Sequence, residues 1–564
     1  MFSASQLSLK KQRLLAQSLA DFDARWDEGA SLLLSAEEPP HHGTRESVFY
    51  ALALLIRQGP GDADRADRIL RAVLALQRLD AGQIWHGTFA SLLEQPAPVR
   101  APFDVSELTP VARWQGDVLG ERLGAAFTAR LRADPSLAGR AGEISGLLAA
   151  SLRDVFPVVW ETYDPNWREF ILATMALILE EFASLLPAET VSAMEQAARE
   201  GLKGARFRAE RGLTPLNTNV EVMHVFIFDA FARRFGDGEL SAYAAAFARR
   251  FLADYREHHA VAEFNSPTYN GVVLSYTGLL RTRGGSPEVR EMGAELEEGL
   301  WEDLAEFYNP AMKTLSGPFT RAYGTTIDGT AIPMLMYLGL DEIPETRLPS
   351  FGGETESACV LCCADPAIPE RVRPALLYSR GERQVEHCFR ELAERGKPGE
   401  NRSLCTATSW ITDDLMLGAM RGSTNTSHQL HAAVAHWRNS AGGVSSLRLR
   451  RRTADGRLVH LRTAFFDFTA RPGEISGEVR NESAGDIVCD FEVESPGAAS
   501  GSYAGGLWCV DGLRCEARLV RVAPDGTEAS AEAVPETRPD GSVWLAVPLA
   551  RDASLRVRLS FSLE

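Results

Sequence analysis

Along the first 345 residues the apolar positions recur with a helical period. In "RADRILRAVLALQRL", "NWREFILATMALILEEFASLL" and "SAYAAAFARRFLADYREHH" they fall at i, i+3, i+4 and i+7. Ala and Leu dominate, and Gly and Pro sit mainly between the segments as punctuation. After about residue 370 the pattern changes to short runs that alternate or nearly so: "SLRLRRRT", "RLVHLRTAFFDF", "GEISGEVRNES", "DIVCDFEVES", "EARLVRVAP", "SVWLAVPL" and "SLRVRLSFSL". Turn clusters such as "ADGR" and "PDG" separate them. This spacing predicts antiparallel strands joined as hairpins, and hence a sandwich. The expected class is α+β, with a helical domain over 1–345, a linker over 346–370 and an antiparallel β-sandwich over 371–564.

The helical part has a slower rhythm. Six segments open on polar residues and then turn strongly apolar, near Arg45, Pro110, Asn166, Asn217, Pro267 and Asp328. These starts lie 50 to 65 residues apart, which is one helical hairpin each. Six hairpins predict an (α/α)6 toroid, in which buried inner helices are apolar nearly all round. Their polar N-termini would converge at one mouth. The stretch "AEFNSPTYNGVVLSYTGLL" fits this scheme, with Ser266 as N-cap and Pro267 at the first helical position. Glu263, Asn265 and Tyr269 then surround a helix N-terminus, where backbone N–H groups favour developing negative charge. The plainer alternative is that Asn and Ser cap the helix and Tyr269 packs.

Other starts supply further polar groups: Arg45 and Glu46; Asn166, Trp167 and Glu169; Asn217, Asn219, Glu221 and His224; Arg321, Tyr323 and Asp328. Trp85 and His86 lie in a loop between hairpins. Trp and Tyr beside carboxylates and amides suit sugars, because rings stack on pyranose faces and polar groups bind hydroxyls. His224 follows Asn217 by two helical turns on the same face, as a lumen residue or a satisfied core histidine. His258 and His259 end a helix, where they complement its dipole. In the strand-rich part, His428, His431 and His436 bring three of the eleven histidines close together. They are candidates for a base or a substrate clamp, or they are simply part of a sheet edge. No phosphate-binding loop, nucleophile elbow or dinucleotide fingerprint is present.

Composition narrows the reading. The chain has 564 residues and a formal net charge of −17, with a pI near 5.3, which argues against non-specific binding to nucleic acid or an anionic membrane. No apolar run approaches the ~18–20 residues of a bilayer span, and the N-terminus reads as an amphipathic helix and not as a signal peptide. A cytoplasmic location is expected. All eight cysteines fall after residue 358. "CVLCC" has no second pair at zinc spacing, so buried free thiols are expected.

A helical toroid followed by an antiparallel sandwich resembles the polysaccharide lyases of the heparinase II/III-like, alginate-lyase and chondroitin-lyase groups. "NSPTYNG" resembles their helix-start segment that carries the catalytic tyrosine, which makes Tyr269 its counterpart. Asn217 or Asn219 would be the asparagine that neutralises the substrate carboxylate. Those enzymes usually pair that asparagine with a nearby histidine, whereas His224 lies downstream in the same helix. The resemblance implies β-elimination at a uronate of an acidic carbohydrate, with no cofactor. Asn217, Asn219, Asn265 and Arg321 would bind the carboxylate and stabilise the enolate-like charge. Tyr269 would move protons, alone or with His224, Tyr323 or a histidine of 428–436 as a separate base. Asn166, Trp167, Glu221, His431, His436 and Trp85 would contact the substrate. Two alternatives stand: a glycoside hydrolase using Glu263 and Asp328 as its carboxyl pair, and a non-catalytic carbohydrate-binding protein.

Overall fold

The computed structural model describes residues 2–35, 39–98, 127–141, 143–144, 162–211, 217–258, 260–350, 352, 357–390, 404–423, 428–453, 464–482, 485–495, 501–538 and 543–563. The expected helix start near Pro110 lies outside the described residues, as does His259. Helices fill the N-terminal part and antiparallel sheets the C-terminal part.

The chain forms two compact units. The first contains Met1–Asp254, Gly271–Glu298 and Asp328–Ile368; the second contains Tyr255–Asn270, Gly299–Ile327 and Pro369–Glu564. This partition differs from a single boundary in 346–370. The short helix Ala358–Cys362 belongs to the first unit, where Lys11 Nζ pairs with Asp365 Oδ1 at 2.7 Å. The stretches Tyr255–Asn270 and Gly299–Ile327 belong with the sheets: Phe264 stacks on Phe389 with ring centroids 4.0 Å apart, and the Phe319 and Ala322 amides bond to the carbonyls of His431 and Gln429.

In the first unit the helices Thr44–Arg57, Trp167–Glu181 and Thr218–Phe235 are buried on nearly every face. Their partners Asp62–Leu74 and Ala188–Arg211 keep a polar face. Near-continuous apolar sequence therefore corresponds to helices enclosed on all sides. The Thr218–Phe235 helix stops at Gly236, whose φ of 64° lets its N–H close back on the Ala232 carbonyl.

Among the described residues, the second unit holds an eight-stranded and a seven-stranded antiparallel sheet. The first runs, in spatial order, Val534–Thr537, Val543–Leu549, Ile487–Glu494, Val444–Thr453, Ala433–Arg438, Leu415–Arg421, Leu404–Ile411 and Arg383–Arg390. The second runs Ala464–Arg471, Glu474–Asn481, Ser554–Leu563, Leu513–Val522, Leu507–Val510 and Gly501–Ala504, with Glu528–Ser530 paired onto Leu513–Val522. Ser554–Leu563 alternates between buried and less buried positions, as a sheet with one wet face should. Leu415–Arg421 and Ala433–Arg438 are buried at every position but the last, so both faces of the larger sheet are covered there. The irregular stretch from Ser316 to Thr325 provides part of that cover: Phe319 bridges His431, and Ser409 Oγ donates to the Gly317 carbonyl.

Candidate active site

The Tyr269–Arg283 helix opens as its sequence suggests. Ser266 Oγ accepts the Tyr269 N–H at 3.0 Å, and the Asn270 N–H reaches the Ser266 carbonyl at 3.3 Å. Ser266 is thus the functional cap, although regular helix begins only at Tyr269. The same hydroxyl donates to the Arg321 carbonyl at 2.6 Å. Just upstream, Asn265 adopts φ 53°. Asn tolerates this left-handed region better than most non-glycine residues. There its Nδ2 donates to the carbonyls of Ser316 at 2.8 Å and Pro318 at 2.9 Å.

These contacts assemble four predicted residues within the second unit. The Arg321 guanidinium lies 4.0 Å from the centroid of the Tyr269 ring. Its Nη1 pairs at 3.2 Å with Oε1 of Glu263, which is fully buried. Tyr323 packs its ring 5.9 Å from that of Tyr269 and is 66% exposed, whereas Tyr269 is 7% exposed. Burial raises the Tyr269 phenol well above its ordinary value; Arg321 opposes this and Tyr323 and Glu263 add to it. Burial disfavours the charged form of Arg321, but Tyr269 and Glu263 outweigh it and the pKa rises. The cluster therefore rests as a neutral phenol beneath a guanidinium–carboxylate pair. Removing either charge would leave the other uncompensated in a largely dry site.

His431 and His436 are also in the second unit, and both are buried. His431 Nε2 donates to the Ala322 carbonyl at 3.1 Å, and His436 Nε2 donates to the Thr325 carbonyl at 2.8 Å. A carbonyl can only accept, so both rings carry their proton on Nε2. Burial lowers both pKa values, that of His436 to about 4.

The remaining predicted residues lie in the first unit. His224 is fully buried, packs on Phe228 and Phe247, and has Nε2 3.0 Å from the Tyr243 hydroxyl. Burial lowers its pKa. Its Nδ1 is 3.9 Å from Glu169 Oε1, beyond hydrogen-bond reach. Glu169 is itself fully buried, with Arg168 Nη2 at 3.8 Å. Its pKa is lowered, because Arg168, His224 and Arg208 together outweigh burial. Asn166 precedes the Trp167–Glu181 helix and accepts from Arg208 Nη2 at 2.9 Å. Trp167 Nε1 donates to Thr44 Oγ1 at 3.0 Å, and Arg45 stacks 4.7 Å over its ring. Asn217 occupies the cap position of the Thr218–Phe235 helix without a side-chain cap bond, and Asn219 and Glu221 are buried in its first turn. Trp85 is buried, donates to Asp80 Oδ2 at 2.8 Å and packs on Tyr163. Asp328 is exposed ahead of the Ala331–Gly339 helix.

Sequence reasoning passed over Arg168, Arg208 and Asp164. Asp164 is buried, and its carboxyl is pushed up to about 6 by that burial. The signal was present in "YDPNWRE": an Asp, an Arg and a Glu at the head of a helix otherwise apolar all round. It also passed over Arg448, whose Nη1 donates to the Tyr323 carbonyl at 3.3 Å. The alternating run "SLRLRRRT" marks a strand there but does not tell which partner an arginine in it finds. Among the described residues, no three His, Cys, Asp or Glu are placed to hold a metal ion. No described helix is long and apolar enough to cross a membrane.

The molecule is thus a mixed helix-and-sheet protein whose second unit carries a buried tyrosine–arginine–glutamate cluster with an exposed tyrosine beside it. By sequence the chain belongs to the family described as Domain of unknown function (DUF8769), which it matches over residues 12–109 and 152–339, just over half its length. No curated protein matches it. Among solved structures it is similar to the chondroitin AC lyase of Streptomyces coelicolor A3, determined in complex with chondroitin sulphate. The identity is 9%, covering 98% of this chain and 80% of that one, with a TM-score of 0.42. This is a distant likeness of fold to a polysaccharide lyase.

Proposed function

We propose that the protein cleaves a uronate-containing poly- or oligosaccharide by β-elimination, with Tyr269 as the proton-transfer residue. The observation that carries this reading is the Arg321 guanidinium 4.0 Å over the buried Tyr269 ring, with Tyr323 exposed beside it. Elimination removes the proton at C5, forms the C4–C5 double bond and expels O4, which must be protonated as it leaves. A phenol held in its neutral form is suited to deliver that proton. Tyr323, acting as its phenolate, is the candidate base that takes the C5 proton. Arg321 is the group nearest the phenol that can balance the enolate-like charge.

The buried histidines commit Nε2 to backbone carbonyls and so fit a base role less well. Glu263 is already paired with Arg321, which favours charge balance over a hydrolytic acid. The finer architecture belongs to the same reading: an (α/α)6 toroid and a β-sandwich. A cytoplasmic address is part of it as well.

The test uses purified protein and a panel of uronate-containing glycans, chondroitin sulphate among them. Ultraviolet absorbance reports new unsaturated uronates, and reducing ends are assayed in parallel. Absorbance should rise, and Tyr269→Phe should lower the rate by about 10²–10⁴-fold. Reducing ends without absorbance would refute elimination and point to hydrolysis, with Glu263→Gln and Asp328→Asn as the variants to examine. Silence in both channels would leave the binding-protein alternative.

A further inference from the structure

The stretch from Ser316 to Thr325 carries Arg321 and Tyr323 and contains no regular helix or strand. Irregular backbone buried against a sheet must find partners for its polar groups elsewhere. Here buried side chains supply them for most of its carbonyls, Gly317 through Ser409 Oγ among them. Asn265 Nδ2 holds the carbonyls of Ser316 and Pro318. Ser266 Oγ holds that of Arg321, and His431 Nε2 that of Ala322. Arg448 Nη1 holds that of Tyr323, and His436 Nε2 that of Thr325. The amides are bound as well: Phe319 to the His431 carbonyl at 3.1 Å, Ala322 to that of Gln429 at 3.0 Å, and Tyr323 to Thr268 Oγ1 at 3.3 Å.

Tyr323 therefore combines a ring that is largely in solvent with a backbone gripped on both sides. Loops usually spend such exposure on mobility. This one is restrained at a cost in buried polar groups, including two imidazoles whose Nδ1 atoms make no hydrogen bond among the described residues.

We propose that His431 and His436 are positioning residues: neutral Nε2–H donors that clamp the 316–325 segment and so fix Tyr323 and Arg321 against Tyr269. This rests on the elimination reading for its catalytic consequence, but the clamp itself can be measured without any substrate.

The experiment is hydrogen–deuterium exchange on the full chain, for wild type, His431→Leu, His436→Leu, and the matching His→Gln variants, whose amide can still donate. Each Leu variant should speed exchange of the Phe319, Ala322 and Tyr323 amides by about tenfold or more, the effect of losing one buried hydrogen bond. Each Gln variant should restore most of the protection. Where wild type shows turnover, the Leu variants should lower kcat more than they raise KM, and Gln should rescue it. Wild-type exchange in both Leu variants would overturn the clamp, as would Gln variants no better protected than Leu. If a Leu variant does not fold, the comparison of Gln with wild type decides, and loss of protection in Gln overturns the proposal. A wild type silent in every elimination assay would refute the proposed function and leave the exchange result standing.

Discussion

At the scale of single residues, this protein repeatedly buries a titratable group and holds it in one protonation state. His436 is fully buried and titrates near 4, against about 6.5 for a free imidazole. Between those values the unfolded chain takes up a proton that the folded chain refuses. The stability this group contributes is therefore complete above about pH 6.5 and is lost as pH falls toward 4, by up to about 3 kcal/mol. Asp164 acts in the opposite sense. Its carboxyl is raised to about 6, so the folded state holds a proton that the unfolded state releases, and stability is gained as pH falls through that window. Denaturant titrations at pH 7 and pH 5 should show that His436→Gln loses less stability on acidification than wild type, and Asp164→Asn loses more. Equal losses in all three proteins would contradict the assignment. The polar head of "YDPNWRE" marks Asp164 as unusual, but neither it nor the histidine in "HAAVAHW" tells how deeply the group is buried or which protonation state it keeps.

At the scale of elements, the helix starts were the most legible feature, because caps and apolar periods are local properties. Five of the six expected starts fall within three residues of an observed helix: Thr44–Arg57, Trp167–Glu181, Thr218–Phe235, Tyr269–Arg283 and Ala331–Gly339. The strands were legible as alternation, but their depth of burial was not. Val444–Thr453 reads as a short alternating strand rich in arginine. In the structure Arg448 is buried, paired with Glu492 at 2.8 Å across the strand pair. Cross-strand partners are set by register, which no single segment contains. The approach of Gly418 to the Gly317 carbonyl is of the same kind. A side chain at 418 would run into that backbone oxygen, which cannot swing away as a side chain could. Gly418→Ala should therefore destabilise the protein by about 1–3 kcal/mol and loosen the 316–325 segment, as read by denaturant midpoint and amide exchange. A midpoint equal to wild type would mean the strand and the segment separate more easily than this packing implies.

At the scale of the whole molecule, the division into units departs from sequence order. Tyr255–Asn270 and Gly299–Ile327 belong with the sheets although helices surround them in the sequence. A fragment covering 369–564 would lack the segment that pairs Phe319 with His431 and fills the space beside Gly418. Expressed alone, it should melt less cooperatively and at lower denaturant than the sheet transition of the full chain. A fragment as stable as that transition would show that the inserted segments contribute little. The order of helices before strands, the helix starts with their caps, and the residue types available for chemistry are all set locally along the chain. Each depends on neighbours within a few positions. It is long-range packing that makes Glu263, Arg321, Tyr269 and Tyr323 meet while His431 and His436 turn to the backbone. Contacts between residues 52 to 111 positions apart depend on which surfaces the chain buries together, and local pattern carries no record of that choice.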